Sequence, residues 1–212
     1  MININSAMVF LFDLGGVLSD IDVQGFLNRL QRLMPEGGRA GLDPDVLLAG
    51  GGDSFLHEYE LGNITSAEAL QHFHAFCRPE ITDEQIRQVW LSELAPIQES
   101  RKVLLRHLRQ QGHTVCLLSN TNDMHWQYIE QMFCYDGYSL KDHFDHVFLS
   151  FRLHLHKPER PIFDEVCRTV PQGQEIIYID DAERNRKAGE AMGWRTFASI
   201  DECVFELLSN NK

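Results

Sequence analysis

Five short, largely apolar segments are spread along the chain and alternate with longer amphipathic stretches. The first covers residues 8–12, and the others cover residues 114–118, 146–149, 175–179 and 194–198. Short continuous apolar runs are typical of strands that are buried on both faces, as in a parallel sheet. We therefore predict five buried strands.

The stretch between residues 21 and 94 has apolar residues at helical spacing, and it contains no predicted strand. Helices are predicted at residues 25–33, 46–49, 67–77 and 82–94, and a glycine joint at residues 50–52. Asp53 or Ser54 can cap a further helix, which residues 61–66 break. An insertion of about seventy residues is far longer than a plain βαβ crossover requires. We predict an inserted helical cap at residues 19–97.

The rest of the chain alternates its strands with amphipathic helices. These helices are predicted at residues 100–111, 124–133, 161–169, 185–192 and 201–208. Alternation of this kind implies a doubly wound parallel sheet with right-handed crossovers. The predicted fold class is α/β, with a core at residues 1–18 and 98–212.

Composition narrows the possible partners and the cellular location. The chain has 212 residues, 43% hydrophobic content and a formal charge of −12, without a basic face to neutralise nucleic-acid phosphates. Its five cysteines form no CxxC pair, which favours reduced thiols and a cytoplasmic location. The first apolar run lacks a preceding basic stretch and is interrupted by Asp13, so neither a signal peptide nor a membrane span is predicted.

Polar residues follow four of the predicted strands. Asp13 follows the first strand, Ser119 and Asn120 the second, Lys157 comes after the third, and Asp180-Asp181 follow the fourth. Ligands of open parallel sheets bind at the carboxyl ends of the strands. Each group alone is also compatible with a turn or a helix cap. Together, these carboxylates, hydroxyl, amide and ammonium suit a phosphate and a divalent cation.

The segments FDLGGVL, LLSNTN, HKPE and IDDAERN, in this order, resemble the motifs of the haloacid dehalogenase (HAD) superfamily. The resemblance covers nearly the whole chain and is greatest to the phosphatase-like branch with a helical cap. Bacterial sugar-1-phosphate phosphatases and the N-terminal phosphatase domain of epoxide hydrolases are similar. The resemblance implies a HAD-like Rossmannoid core and a Mg²⁺-dependent phosphatase that acts on a small phosphorylated metabolite.

The resemblance also implies a role for each motif residue. Asp13 is the expected nucleophile, which would form an aspartyl-phosphate. Ser119 and Asn120 would hold the phosphoryl oxygens, and Lys157 would neutralise phosphate charge and keep Asp13 ionised. The expected Mg²⁺ ligands are Asp13, the backbone carbonyl of Gly15, and Asp180. Asp181 and Asn185 would have supporting roles.

Gly15 departs from the usual motif, which has a second Asp at this position as the proton donor to the leaving group. The loss of a general acid typically lowers a rate by about a hundred- to ten-thousand-fold. Two alternatives therefore stay open, a metal-independent 2-haloacid dehalogenase and a phosphate-binding protein without catalysis. Asp180-Asp181 favours the phosphatase, because the family's dehalogenases need no metal.

Two pairs of histidines, His72 with His74 and His154 with His156, are spaced like metal ligands. Further ligands at suitable spacing are missing, so we predict solvated surface positions for all four. Trp90 is expected in the core of the cap. The sequence does not indicate which cap residues face the substrate, which metabolite is the substrate, or the oligomeric state.

Overall fold

The structure is a computed structural model that describes residues 6–35 and 54–209. The helix predicted at residues 46–49 and the glycine joint at 50–52 lie outside these ranges. Of the helices within the described ranges, none has the length and apolar content needed to cross a lipid bilayer.

All five predicted strands are present and form one parallel sheet. They are β1 (Val9–Phe12), β2 (Thr114–Ser119), β3 (His146–Leu149), β4 (Ile176–Ile179) and β5 (Arg195–Phe197), in the order β3-β2-β1-β4-β5. Phe12, the last residue of β1, lies opposite Leu117 on one side and Ile179 on the other. This register brings the polar residues that follow β1, β2 and β4 to the same edge of the sheet.

Eleven helices accompany the sheet in the described part of the chain. They are α1 (Val23–Gln31), α2 (Phe55–Glu60), α3 (Ser66–His74), α4 (Asp83–Leu91), α5 (Glu99–Gln110), α6 (Asp123–Met132), α7 (Leu140–His143), α8 (Ser150–Leu153), α9 (Arg160–Thr169), α10 (Glu183–Ala191) and α11 (Ile200–Ser209). Helices α7 and α8 were not predicted, because four residues are too few to show a helical period.

Both faces of the sheet are covered, as expected of a doubly wound fold. Phe10 and Phe12 of β1 pack in one hydrophobic cluster with residues of α5, α6 and α11. Val9 and Leu11 point to the opposite face and pack in a second cluster with residues of α9. This alternation follows from the two-residue period of a strand, and it makes β1 the central buried strand.

Helices α1 to α4 surround a hydrophobic cluster of their own. Phe26, Tyr59, Phe73 and Trp90 are buried there, so the prediction for Trp90 is confirmed. Two chain segments connect this group of helices to the sheet, and they pair with each other. The Asp22 N–H donates to the Glu93 carbonyl over 2.8 Å, and Ala95 N–H donates to the Asp20 carbonyl over 2.9 Å.

Candidate active site

Lys157 lies at the centre of the polar edge of the sheet. Its Nζ is 2.9 Å from Asp13 Oδ1 and 2.7 Å from Asp180 Oδ2, and it donates to the Leu118 carbonyl over 3.0 Å. The lysine is only 1% exposed. Three of the site residues predicted from separate motifs therefore meet within one buried ion cluster.

The charges of this cluster influence one another strongly. Burial raises the pKa of Asp13 to about 7, with Lys157 opposing this shift and the negative charge of Asp180 adding to it. The pKa of Lys157 is raised because Asp13 and Asp180 outweigh the effect of burial. Lys157 and hydrogen bonds lower the pKa of Asp180 although burial opposes this. A cation beside Asp13 would lower its pKa and favour the charged, nucleophilic form.

The carboxylate of Asp180 is held by groups of the protein on both oxygens. Its Oδ2 accepts hydrogen bonds from Lys157 and from the Tyr178 hydroxyl, the latter over 2.5 Å. Its Oδ1 accepts from Ala182 N–H over 2.9 Å and from Asn185 Nδ2 over 3.1 Å. Asp180 is fully buried. Asn185 thus supports Asp180.

Asp181, in contrast, is exposed and lines a cavity at the sheet edge. A Cβ atom added to Gly16 would lie 2.4 Å from Asp181 Oδ2, and Gly16 has a φ of +72°. Glycine is therefore needed at position 16, both for its backbone conformation and for the close approach of this carboxylate.

The acidic residues fit a hard divalent cation. Asp13, Asp180 and Asp181 offer carboxylate oxygens that all lie within 4.8 Å of one another. The Oδ1 atom of Asn185, beside them, is buried and has no hydrogen-bond partner in the described part of the chain. Carboxylate and amide oxygens are the ligands that Mg²⁺ prefers.

Ser119 and Asn120 lie where the sequence predicts, at the end of β2, and both line the cavity. The Asn120 side chain fixes the loop after β3, because Oδ1 accepts from Lys157 N–H over 2.9 Å and Nδ2 donates to the Lys157 carbonyl over 3.0 Å. Among the residues that the structure describes, the Ser119 hydroxyl has one hydrogen bond, a long one of 3.4 Å to the Asn120 carbonyl.

The cavity has a volume of about 500 Å³ and lies between the sheet edge and helices α2 and α4. His57 and Glu60 of α2, Trp90 of α4 and Glu93 line it from the cap side. No signal in the sequence could identify these residues, since the face that a cap helix presents to the core depends on tertiary packing.

His156 corrects one of our predictions. It is buried at 8% exposure and lines the cavity, whereas we predicted a solvated position. His154 and His74 do lie at exposed or partly exposed positions. The error arose because His156 is held at the cavity by hydrogen bonds with Asn120 and Glu60, contacts that the spacing of the histidines along the chain does not show.

Both ring nitrogens of His156 have hydrogen-bond partners in the protein. Lys157 N–H fixes the Asn120 amide so that Nδ2 donates to His156 Nδ1 over 3.1 Å. Nδ1 therefore accepts this bond, and Nε2 donates to Glu60 Oε2 over 2.9 Å. His57, Glu60 and His156 lie close enough to hold a metal, but in this arrangement the His156 Nε2 lone pair is not free for one.

An apolar side chain lies beside Gly15, where the usual motif carries a carboxyl. A Cβ atom on Gly15 would lie 2.5 Å from Ile21 Cδ1, so the side chain of Ile21 occupies this space. The apolar side chain of Ile21, from the segment before α1, thus lies where the usual motif has its proton donor.

Comparison with known proteins agrees with this geometry. A family model described as haloacid dehalogenase-like hydrolase matches residues 7–193. The chain belongs to this family. D-ribitol-5-phosphate phosphatase of Bacteroides thetaiotaomicron is 31% identical to it, in a match that covers 88% of this chain and 89% of that relative.

Solved structures show the same similarity. A HAD-family enzyme of Bacteroides thetaiotaomicron, determined as an aspartate-to-alanine mutant with magnesium and inorganic phosphate, superposes with a TM-score of 0.79 at 29% identity. The match covers 91% of this chain and 94% of that one. A HAD-like hydrolase from Porphyromonas gingivalis has a TM-score of 0.77 at 25% identity, covering 95% of this chain and 98% of that one. The predicted family resemblance and fold class are confirmed.

Proposed function

We propose that this hydrolase is a Mg²⁺-dependent phosphatase that acts on a small phosphorylated metabolite, with Asp13 as nucleophile. The observation that supports this most is the buried Lys157, which contacts Asp13 and Asp180 at one edge of the sheet. The ammonium weakens the repulsion between these two carboxylates and an anionic substrate, and it orients the attacking oxygen of Asp13.

Asp13 and the residues around it have different roles in the proposed phosphoryl transfer. Asp13 attacks phosphorus and forms an aspartyl-phosphate, which water then hydrolyses. Lys157 neutralises charge on the phosphoryl group, and Ser119, whose hydroxyl has only one long protein bond, is available to bind a phosphoryl oxygen. Asn120 positions Lys157 through its backbone, and its main chain borders the same cavity.

Magnesium would be held by Asp13, the backbone carbonyl of Gly15 and one carboxylate of the Asp180-Asp181 pair. The sequence favoured Asp180, but its two oxygens already accept hydrogen bonds from four groups of the protein. We therefore propose Asp181, which faces the cavity, as the direct ligand, with Asp180 and Asn185 in support. When bound, Mg²⁺ supplies positive charge that offsets repulsion between the carboxylates and the phosphate.

The substrate class follows from the cavity and from the relatives. A cavity of about 500 Å³ suits a metabolite of a few carbons, and its polar side chains from the cap suit hydroxyl groups. Since D-ribitol-5-phosphate phosphatase is a relative, we propose a sugar or polyol phosphate.

We also propose a division of the chain into two parts, a cellular location and a class of partner. Residues 19–97 would form a cap that closes the cavity, and residues 1–18 and 98–212 the catalytic core, because two paired linkers join them. All five cysteines are free thiols, which supports a cytoplasmic location. The partner would be the substrate, and the charge of −12 makes nucleic acid an unsuitable one.

The proposal is tested by phosphate release from a panel of sugar and polyol phosphates. Wild-type protein should release phosphate with Mg²⁺ and lose activity with a chelator, and Asp13→Asn should be inactive because an amide cannot attack phosphorus. Halide release from a 2-chloroacid that is insensitive to chelator would support the dehalogenase instead. Phosphatase activity that survives Asp13→Asn would contradict the proposal.

A further inference from the structure

The proposed reaction lacks a proton donor at its usual place. Expulsion of an alkoxide from a sugar or polyol phosphate needs a proton, and Gly15 cannot provide one. The Ile21 side chain fills the space that a carboxyl at position 15 would occupy. A donor must therefore reach the cavity from another segment.

Glu93 reaches the same cavity from the segment that pairs with Ile21. Its backbone carbonyl accepts from Asp22 N–H over 2.8 Å, and the adjacent Leu94 forms a bridge with Ile21. Glu93, Ile21, Gly15 and Asp13 all line the cavity. We propose that Glu93 donates the proton to the leaving oxygen in place of the carboxyl absent at Gly15. This inference rests on the proposed phosphatase function.

The other carboxyl groups that line the cavity are less suitable as proton donors. Asp13 is the proposed nucleophile and Asp181 the proposed metal ligand. Glu60 accepts a hydrogen bond from His156 Nε2 over 2.9 Å, so its Oε2 atom is already engaged by the protein. Glu159 is exposed at the rim. In the part of the chain that the structure describes, no group donates a hydrogen bond to the Glu93 carboxyl, which leaves it free to face a substrate.

The protonation of Glu93 suits this role. Burial, with a smaller contribution from the negative charge of Glu60 on α2, raises its pKa to about 7. A general acid works best with a pKa near the working pH. The cations and imidazoles that face the same cavity are Lys157, Arg184, His57, His125 and His156. None of them contributes to the pKa shift of Glu93, and burial holds His125 neutral by lowering its pKa to about 4.

Two steps use this proton without any added reactant. First, Asp13 forms a bond to phosphorus while the bond from phosphorus to the leaving oxygen breaks, and the Glu93 proton moves to that oxygen. Then the Glu93 carboxylate takes a proton from water, whose oxygen bonds to phosphorus as the bond to Asp13 breaks. Phosphate leaves, and Glu93 is protonated again.

The test compares kcat/KM for two esters in wild-type protein and in Glu93→Gln. One ester is the best alkyl phosphate of the substrate panel, and the other is p-nitrophenyl phosphate, whose nitrophenolate leaves without a proton. We expect Glu93→Gln to lower kcat/KM for the alkyl phosphate by about a hundred- to ten-thousand-fold. For p-nitrophenyl phosphate the value should stay within a few-fold, because kcat/KM reports only the first chemical step.

A pH profile and a matched variant complete the test. For the alkyl phosphate, wild-type kcat/KM should decline as pH rises through the Glu93 pKa, and Glu93→Gln should lack this decline. Glu84→Gln makes the same substitution at an exposed position of α4 and should behave like the wild type. Equal losses for both esters in Glu93→Gln would overturn the donor role alone. Wild-type protein that hydrolyses neither ester would overturn the proposed function, and this inference with it.

Discussion

Two neighbouring residues, Asp180 and Asp181, show how side chains of one type can differ in role. Asp180 is fully buried and bonded to Lys157, whereas Asp181 is exposed and lines the cavity. The sequence predicts an acidic pair after β4 but does not indicate which member faces the ligand. That choice depends on how the chain leaves the strand, since successive side chains of an extended segment point in opposite directions.

Replacing each aspartate by asparagine should separate the two roles. Asp180→Asn leaves Lys157 with one of its two carboxylate partners, and breaking a buried ion pair costs about 3 kcal/mol. Asp181→Asn should leave the melting temperature of the metal-free protein nearly unchanged but raise the Mg²⁺ concentration for half-maximal activity at least tenfold. Thermal unfolding and Mg²⁺ titration measure the two effects. The reverse pattern would make Asp180 the direct ligand.

Among the secondary-structure elements, those with a clear local sequence pattern were predicted correctly, and those that are very short or depend on tertiary packing were not. The strands were predictable because a continuous apolar run reports burial on both faces, and β1 is buried throughout. Thr82 and Gln85 form a capping box at the start of α4, where the sequence predicts a helix to begin. Helices α7 and α8 were too short for a periodic pattern, and Glu60, Glu93 and His156 reach the cavity only through packing of the cap on the core.

The turn after β1 offers a test of how local backbone shape supports the metal site. Gly16→Ala would place a methyl group against Asp181 at a positive φ, so we expect loss of stability and weaker Mg²⁺ activation. Gly173→Ala is the matched control, because Gly173 also has a positive φ but has no atom within 4 Å of an added Cβ. Both variants carry backbone strain of about 1 kcal/mol. Only Gly16→Ala should change the Mg²⁺ titration, and equal titrations would contradict the proposed role of Asp181.

At the scale of the whole molecule, a cavity rich in carboxylates in a protein of charge −12 has to accept an anion. Asp13, Glu60, Glu93 and Asp181 all line this cavity, and Lys157 is already paired with two carboxylates. The field of the protein therefore opposes phosphate unless a cation is present. Metal and phosphate should thus bind cooperatively, each raising the affinity of the other.

Thermal unfolding of the intact chain can measure this coupling with Mg²⁺ and inorganic phosphate as probes. A ligand at a hundred times its dissociation constant stabilises the folded state by about 2.7 kcal/mol. For a domain of this size, that corresponds to a rise in melting temperature of roughly 5–10 °C. We expect phosphate to cause such a rise only when Mg²⁺ is present, and Asp181→Asn to abolish it. An equal rise with phosphate alone would mean that Lys157 suffices to hold the anion, and magnesium would then have no part in binding it.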